Sequence, residues 1–216
     1  MIADIVKTDP LGVILTSLVR EYKPKNILEI GSSDGSGSST IFAEAIKGSD
    51  SELFCIEIMD DRFLELKRRM SLYPNVKCYQ VSSVGLDGVV DADYIRSFRD
   101  IHRGKLNIWK FYKMELVMSW YKEVTDQIPL TEIQEGIDFI KWDNKIDLFD
   151  MVFIDGSPFT GMAELDLVYG AKVIIMDDTM DIKCYDPMMR LLNDPNYELL
   201  SRNDNYRNGF VVFKLK

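Results

Sequence analysis

The sequence predicts an α/β domain built on a mostly parallel, seven-stranded sheet with helices on both faces. Three observations predict it. Short apolar runs alternate with amphipathic segments along most of the chain, and strict alternation requires parallel strands joined by right-handed crossovers. Hydrophobic residues make up 46% of the 216 residues, enough for one domain whose sheet is buried on both sides. The last two apolar runs are separated by Arg207-Asn208-Gly209, a hairpin-like signal that adds one antiparallel strand at or near the edge.

The elements follow in order. Leu11, Leu15, Leu18 and Val19 recur at helical spacing within residues 11–21, and Pro24 ends that helix. Residues 26–30 form a short buried strand and 38–46 a helix. A second strand covers 53–58, and the helix at 61–72 is closed by Pro74. A third strand runs over 76–81. Residues 150–154 and 172–176 read as the fourth and fifth strands with a helix between them. A short helix at 187–192 precedes the paired segments 197–202 and 209–214.

The interval 84–145 is about twice the roughly thirty residues of an ordinary crossover unit. It is rich in aromatics, among them Tyr94, Phe98, Trp109, Trp120 and Trp142, and residues 108–124 carry helical period. It reads as a helical insertion over the strand ends, where ligands bind in open α/β sheets. A substrate lid is one role for it; a packing or dimerisation element is the other, since aromatic stripes on helices usually lie in cores.

Charge and composition exclude several classes. Asp and Glu number 35 against 26 Lys and Arg, a formal net charge of −9, which disfavours nonspecific binding to nucleic acid. No apolar run approaches the roughly 20 residues that span a bilayer, so no membrane partner is expected. The start Met1-Ile2-Ala3-Asp4 lacks a basic region followed by an apolar stretch, and no secretory signal is read there. Cys55, Cys78 and Cys184 form no Cys-x-x-Cys pair and fit a reducing cytoplasm. A homo-oligomer is left open.

The most informative stretch joins the first strand to its helix: Glu29-Ile30-Gly31-Ser32-Ser33-Asp34-Gly35-Ser36-Gly37-Ser38. Glycine permits positive φ and lets a ligand approach the backbone, and the following helix start offers free amides to an anion. The spacing is neither the Gly-x-Gly-x-x-Gly of dinucleotide enzymes nor a phosphate loop. At the end of the second strand Glu57, followed by Ile58, stands 26 residues after Gly31, where an acidic residue accepts hydrogen bonds from ribose hydroxyls.

Glu-x-Gly-x-x-x-Gly resembles motif I of class I S-adenosylmethionine-dependent methyltransferases. The resemblance implies the Rossmann-like methyltransferase fold and S-adenosylmethionine as cofactor. Glu29, Gly31, Ser32, Gly35, Ser36, Gly37 and Ser38 would surround its methionine part, with Glu57 and Ile58 at the ribose. Ser83, after the third strand, takes the adenine position, although an Asp is commoner there.

Asp155 follows the fourth strand, and Asp177 and Asp178 close the fifth, so three carboxylates converge at neighbouring strand ends. Buried negative charges need a cation or hydrogen bonds to offset them. An all-oxygen cluster suits Mg²⁺. Phe-Ile-Asp-Gly-Ser and Asp-Asp-Thr resemble motifs of a metal-dependent O-methyltransferase family that includes catechol-type and macrolide-sugar-type enzymes. Carried over, Asp155, Asp177 and Asp178 would hold the metal, which binds hydroxyls of a small-molecule acceptor, a sugar or a phenol. Pro158 departs from the pattern, standing where the family has His and the catechol-type enzymes a catalytic Lys. Without metal, Asp155 would serve as the catalytic base. His102, the single histidine, lies in the insertion and reads as a packed or exposed side chain. Three other readings stay open: an N- or C-methyltransferase without metal, a noncatalytic cofactor-binding domain that recruits a partner, and, against the glycine spacing, an NAD-dependent dehydrogenase.

Overall fold

The computed structural model describes residues 5–216; Met1–Asp4, where the secretory reading falls, lie outside the described residues. Seven strands form one sheet: β1 (Asn26–Ile30), β2 (Glu52–Glu57), β3 (Val76–Gln80), β4 (Met151–Ile154), β5 (Val173–Asp177), β6 (Tyr197–Asn203) and β7 (Phe210–Leu215). Their order is β3-β2-β1-β4-β5-β7-β6, so the crossover direction reverses between β1 and β4. The β3 to β5 neighbours pair in parallel, and β7 inserts antiparallel between β5 and β6. The sheet is therefore the one the alternation predicts. The loop joining β6 and β7 spans residues 204–209, longer than a two-residue turn, because it also has to reach the end of β5.

Strand parity divides the core. Leu28, Phe54, Val152 and Ile174 face α7 (Gly136–Asn144), α8 (Gly161–Val168) and α9 (Tyr185–Leu192). Ile27, Leu53, Met151 and Val173 face α1 (Pro10–Tyr22), α2 (Ser38–Ala45) and α3 (Asp60–Met70). Local chemistry sets the ends of these helices. Asp9 accepts from the Gly12 amide at 2.7 Å as the N-cap of α1, with Pro10 at its first position. Pro187 likewise falls in the first turn of α9, where a missing amide costs nothing.

The long interval holds α4 (Ala92–His102), α5 (Asn107–Phe111) and α6 (Met114–Gln127) before α7. The helix read over 108–124 is thus two helices. Tyr112 and Lys113 are extended between them, a break that lets Ile108 and Val117 enter the same cluster. That third core joins Ile95, Phe98 and Leu106 to Phe159 and Ile182, which come from the loops after β4 and β5. Backbone bonds fasten it there: Val90 N donates to Phe159 O and Asn107 N to Met180 O, at 3.0 and 3.1 Å. His102 packs between the rings of Phe98 and Tyr185. No helix among the described residues is long and apolar enough to cross a membrane.

The register aligns the carboxyl ends of the central strands. Ile30 pairs with both Ile56 and Ile154, and Ile154 with Met176. The next residue on each strand is Gly31, Glu57, Asp155 and Asp177, so these four stand in one row at the carboxyl edge. Gly31 has φ of +86°, and a Cβ there would lie 2.3 Å from the Asp155 carbonyl oxygen. The bends after β1 and β4 touch because this residue has no side chain. Gly31→Ala should lose at least about 2 kcal/mol in chemical denaturation, from left-handed strain plus the clash. A loss below about 0.5 kcal/mol would mean the two bends do not meet.

Candidate active site

The row of strand ends opens into a cavity of about 430 Å³, within the range of small-molecule sites. One end is formed by Glu57, Ile58, Met59 and Arg62 with Val81, Ser82 and Ser83. Gly31 and Ser33 form the middle. Asp155, Gly156, Ser157, Pro158, Asp178, Lys183 and Arg207 form the other end. Trp120, Glu123, Val124 and Gln127 of α6 complete the wall. The insertion therefore reaches over the strand ends while packing Tyr94, Phe98, Trp109 and Tyr121 into its own core; Phe111 and Trp142 are exposed.

Glu57 is 5% exposed and accepts from the Met59 amide at 2.8 Å. Burial raises its pKa, and the amides of Met59, Ser33 and Ile58 pull the other way. A carboxylate held by backbone donors at a cavity edge has a fixed direction and remaining acceptor capacity.

The glycine bend is arranged differently from what its sequence suggests. Gly31 lines the cavity, whereas Glu29, Ser32, Gly35, Ser36, Gly37 and Ser38 lie outside its wall. Parity is the reason for Glu29: it shares a row with Cys55 and Phe153 and points into the α1–α3 layer. There it is fully buried and accepts from the hydroxyls of Ser32, at 2.7 Å, and Ser39. Its place is a latch between β1, the bend and α2. Ser36 is turned onto Asp34 through both its amide and its hydroxyl, at 2.9 and 2.6 Å, and Arg69 of α3 donates to the Asp34 carbonyl. Ser33, at φ of +50°, is the bend's serine on the cavity.

The three acids after β4 and β5 do converge, yet they come with cations of the chain itself. Lys183 Nζ lies 2.7 Å from Asp155 Oδ1 and 2.7 Å from Asp178 Oδ2. Arg207 pairs with Asp177 at 2.9 Å. The loop after β5 positions these groups: Thr179 N donates to Gly209 O and Met180 N to Asn208 O, which brings the β6–β7 loop, and Arg207 with it, over the end of β5. Asp178, at φ of +55°, turns its carboxylate toward the cavity, whereas Asp177 is 1% exposed and not part of the wall.

Burial pushes Asp155 up to about 6, opposed by Lys183. Burial and the adjacent charges of Asp155 and Asp178 push Asp177 up to about 8, against the pull of Arg207. Burial would raise Asp178, but Lys183 holds it below the usual carboxylate range. The ammonium itself, which burial alone would lower, is held well above its ordinary value by the two carboxylates.

This arrangement does not fit the metal site that the resemblance implies. The ammonium occupies the position between Asp155 and Asp178 that a cation would take, and Asp177 is turned onto a guanidinium. No group of three or more His, Cys, Asp or Glu able to hold a metal is present among the described residues. Lys183 and Arg207 are the residues sequence reasoning missed. The need for compensating cations was visible in the three acids, but neither basic residue sits at a motif spacing.

A further buried carboxylate lies behind the wall. Glu164 of α8 is fully buried and accepts from Ser83, at 2.6 Å, and Thr160, at 2.7 Å, both through Oε1. Its Oε2 has no hydrogen-bond partner within the chain. Ser83 thus serves the cavity by anchoring the end of β3 to α8.

No family model matches the chain, and no curated protein matches it in sequence. Solved structures do match in shape. A methyltransferase from Geobacter sulfurreducens aligns with 98% of this chain and 81% of its own, at 16% identity and a TM-score of 0.53. The O-methyltransferase from Bacillus cereus, in complex with SAH, aligns over 97% and 82% at 17% identity and 0.55. The O-methyltransferase TomG from Streptomyces achromogenes, involved in tomaymycin synthesis and in complex with SAM, aligns over 99% and 82% at 18% identity and 0.53. The chain has the Rossmann-like fold of these methyltransferases.

Glu164 generates a test by pH. Burial raises its pKa in the folded protein, so ionising it opposes folding. That cost is absent at pH below the ordinary carboxylate range and grows as pH rises through the folded-state value. Glu164→Gln removes it. Thermal melts should show the variant gaining on the wild type as pH increases from about 4.5 upward; a pH-independent difference would show that Glu164 is not buried as a carboxyl.

Proposed function

We propose that the chain is an S-adenosylmethionine-dependent methyltransferase that methylates a hydroxyl of a small molecule, a sugar or a phenol. The observation that carries this is one continuous cavity along the strand ends, running from the Glu57 carboxylate past Gly31 to Asp155. Its two ends differ as a nucleoside site and a reacting site would. The likeness in fold to O-methyltransferases, two of them in complex with SAM or SAH, supports the reading.

The residues present fit the cofactor. Glu57, with one oxygen on the Met59 amide, accepts from a ribose diol. Ile58, Met59 and the Ser82–Ser83 segment flank the base, and Gly31 and Ser33 offer backbone to the amino-acid tail. Glu29, Ser32, Gly35, Ser36, Gly37 and Ser38 act one layer back, by holding the bend in shape. When bound, S-adenosylmethionine would supply an electrophilic sulfonium methyl with a neutral thioether as its leaving group.

Asp155, at the cavity wall beside Lys183, is the group placed to take the hydroxyl proton. Trp120 and Val124 line the site from α6 and are placed to contact the acceptor. The insertion is in this reading both lid and packed subdomain. A small acceptor suits a cavity of this size, and the net charge of −9 disfavours nonspecific binding to nucleic acid. The free thiols Cys55, Cys78 and Cys184 fit a reducing cytoplasm.

Calorimetry with S-adenosylhomocysteine tests the cofactor site. Glu57→Ala should weaken binding by about 1.5–3 kcal/mol, the loss of a charged hydrogen-bond acceptor; unchanged affinity would remove Glu57 from it. Trp120→Ala should raise the KM for the acceptor while leaving S-adenosylhomocysteine affinity within about twofold. The opposite pattern would mean that α6 covers the cofactor rather than the acceptor.

A further inference from the structure

We infer that Lys183 takes the place of the divalent cation at the reacting end of the cavity, so that the site needs no metal and holds the acceptor oxygen on an ammonium. This rests on the methyltransferase reading for the identity of the acceptor, but not for the position of the cation.

The geometry is that of a cation site already filled. Lys183 Nζ stands 2.7 Å from one oxygen each of Asp155 and Asp178. An ammonium has three N–H donors and these carboxylates take two. Its side chain is about one-tenth exposed, and Lys183 forms part of the cavity wall, so the remaining donor is available to a group in the cavity and to little else. The third acid stands apart, with Asp177 Oδ2 2.9 Å from Arg207 but in no well-formed hydrogen bond. Adding a doubly charged ion between Asp155 and Asp178 would require displacing the ammonium.

The chemical consequence is specific. A metal lowers the pKa of a hydroxyl by direct coordination, whereas an ammonium stabilises the developing oxyanion by one charge-assisted hydrogen bond. The acceptor oxygen sits on Lys183 Nζ, and its proton passes to the neighbouring Asp155 carboxylate, which releases it to water after product leaves. A hydroxyl held this way is monodentate. Acceptors with two adjacent hydroxyls gain nothing from their second oxygen, unlike at a metal.

Titration of the wild-type protein with Mn²⁺, followed by calorimetry and by the Mn²⁺ paramagnetic resonance signal, reads the position directly. Wild type should show no saturable binding, while S-adenosylhomocysteine binds equally before and after EDTA treatment. Lys183→Ala vacates the position and should gain a saturable Mn²⁺ site, at least about tenfold tighter than any in wild type, that disappears in the Lys183→Ala, Asp178→Asn double variant. Stoichiometric Mn²⁺ binding by wild type, lost in Asp178→Asn, would overturn the inference. So would a folded Lys183→Ala protein as blind to Mn²⁺ as wild type. Should Lys183→Ala fail to fold, the wild-type titration alone decides. If wild type binds neither Mn²⁺ nor S-adenosylhomocysteine, the methyltransferase reading fails, while the assignment of Lys183 to the cation position stands.

Discussion

The bridge from Lys183 to Asp155 and Asp178 is the interaction on which the acidic end of the cavity depends. Parallel register places Asp155 and Asp177 side by side at the carboxyl edge, and Asp178 follows at once. Charges so close and so shielded from water repel strongly. A buried ammonium reverses the sign of the local field, keeps two of the acids ionised, and fixes the loop after β5 against the end of β4. Removing one partner of such a cluster leaves an uncompensated charge inside, which typically costs several kcal/mol.

Around that cluster the fold assigns separate tasks to its two faces. The α1–α3 layer carries the latch in which Glu29 ties the glycine bend to Ser39. The α7–α9 layer carries Glu164, which ties the end of β3 to α8 through Ser83. The two latches lie on opposite sides of the same row of strand ends. Between them the cavity is held at rigid strand termini, the arrangement that preorganised sites require.

The insertion adds what the sheet lacks, a cover. Its third core grows from Phe159 and Ile182, so the element closing the cavity is packed on the same two loops that present Asp155 and Lys183. A displacement of either loop would be felt in α6, and hence at Trp120. Phe98 and Trp109 serve that packing, and the sequence pattern alone had no means to separate them from Trp120 at the cavity wall.

Much of this was legible in the chain itself. Alternating apolar runs determined the strands and their parallel pairing. The glycine at 31 and the acids at 57, 155, 177 and 178 marked the edge where the cavity lies, because a strand end followed by glycine or a carboxylate is a local signal. The direction each side chain takes was left to the tertiary structure. Glu29 points away from the cavity because of strand parity relative to Cys55 and Phe153, and Tyr112 interrupts a helix because α5 and α6 must both reach one core. Above all, three acids in sequence demand positive charge without naming its source. Whether that charge comes from solvent or from the chain depends on where a lysine five residues beyond Asp178 and an arginine from another loop are brought in space, and only long-range backbone pairing between the β5 and β6–β7 loops decides it.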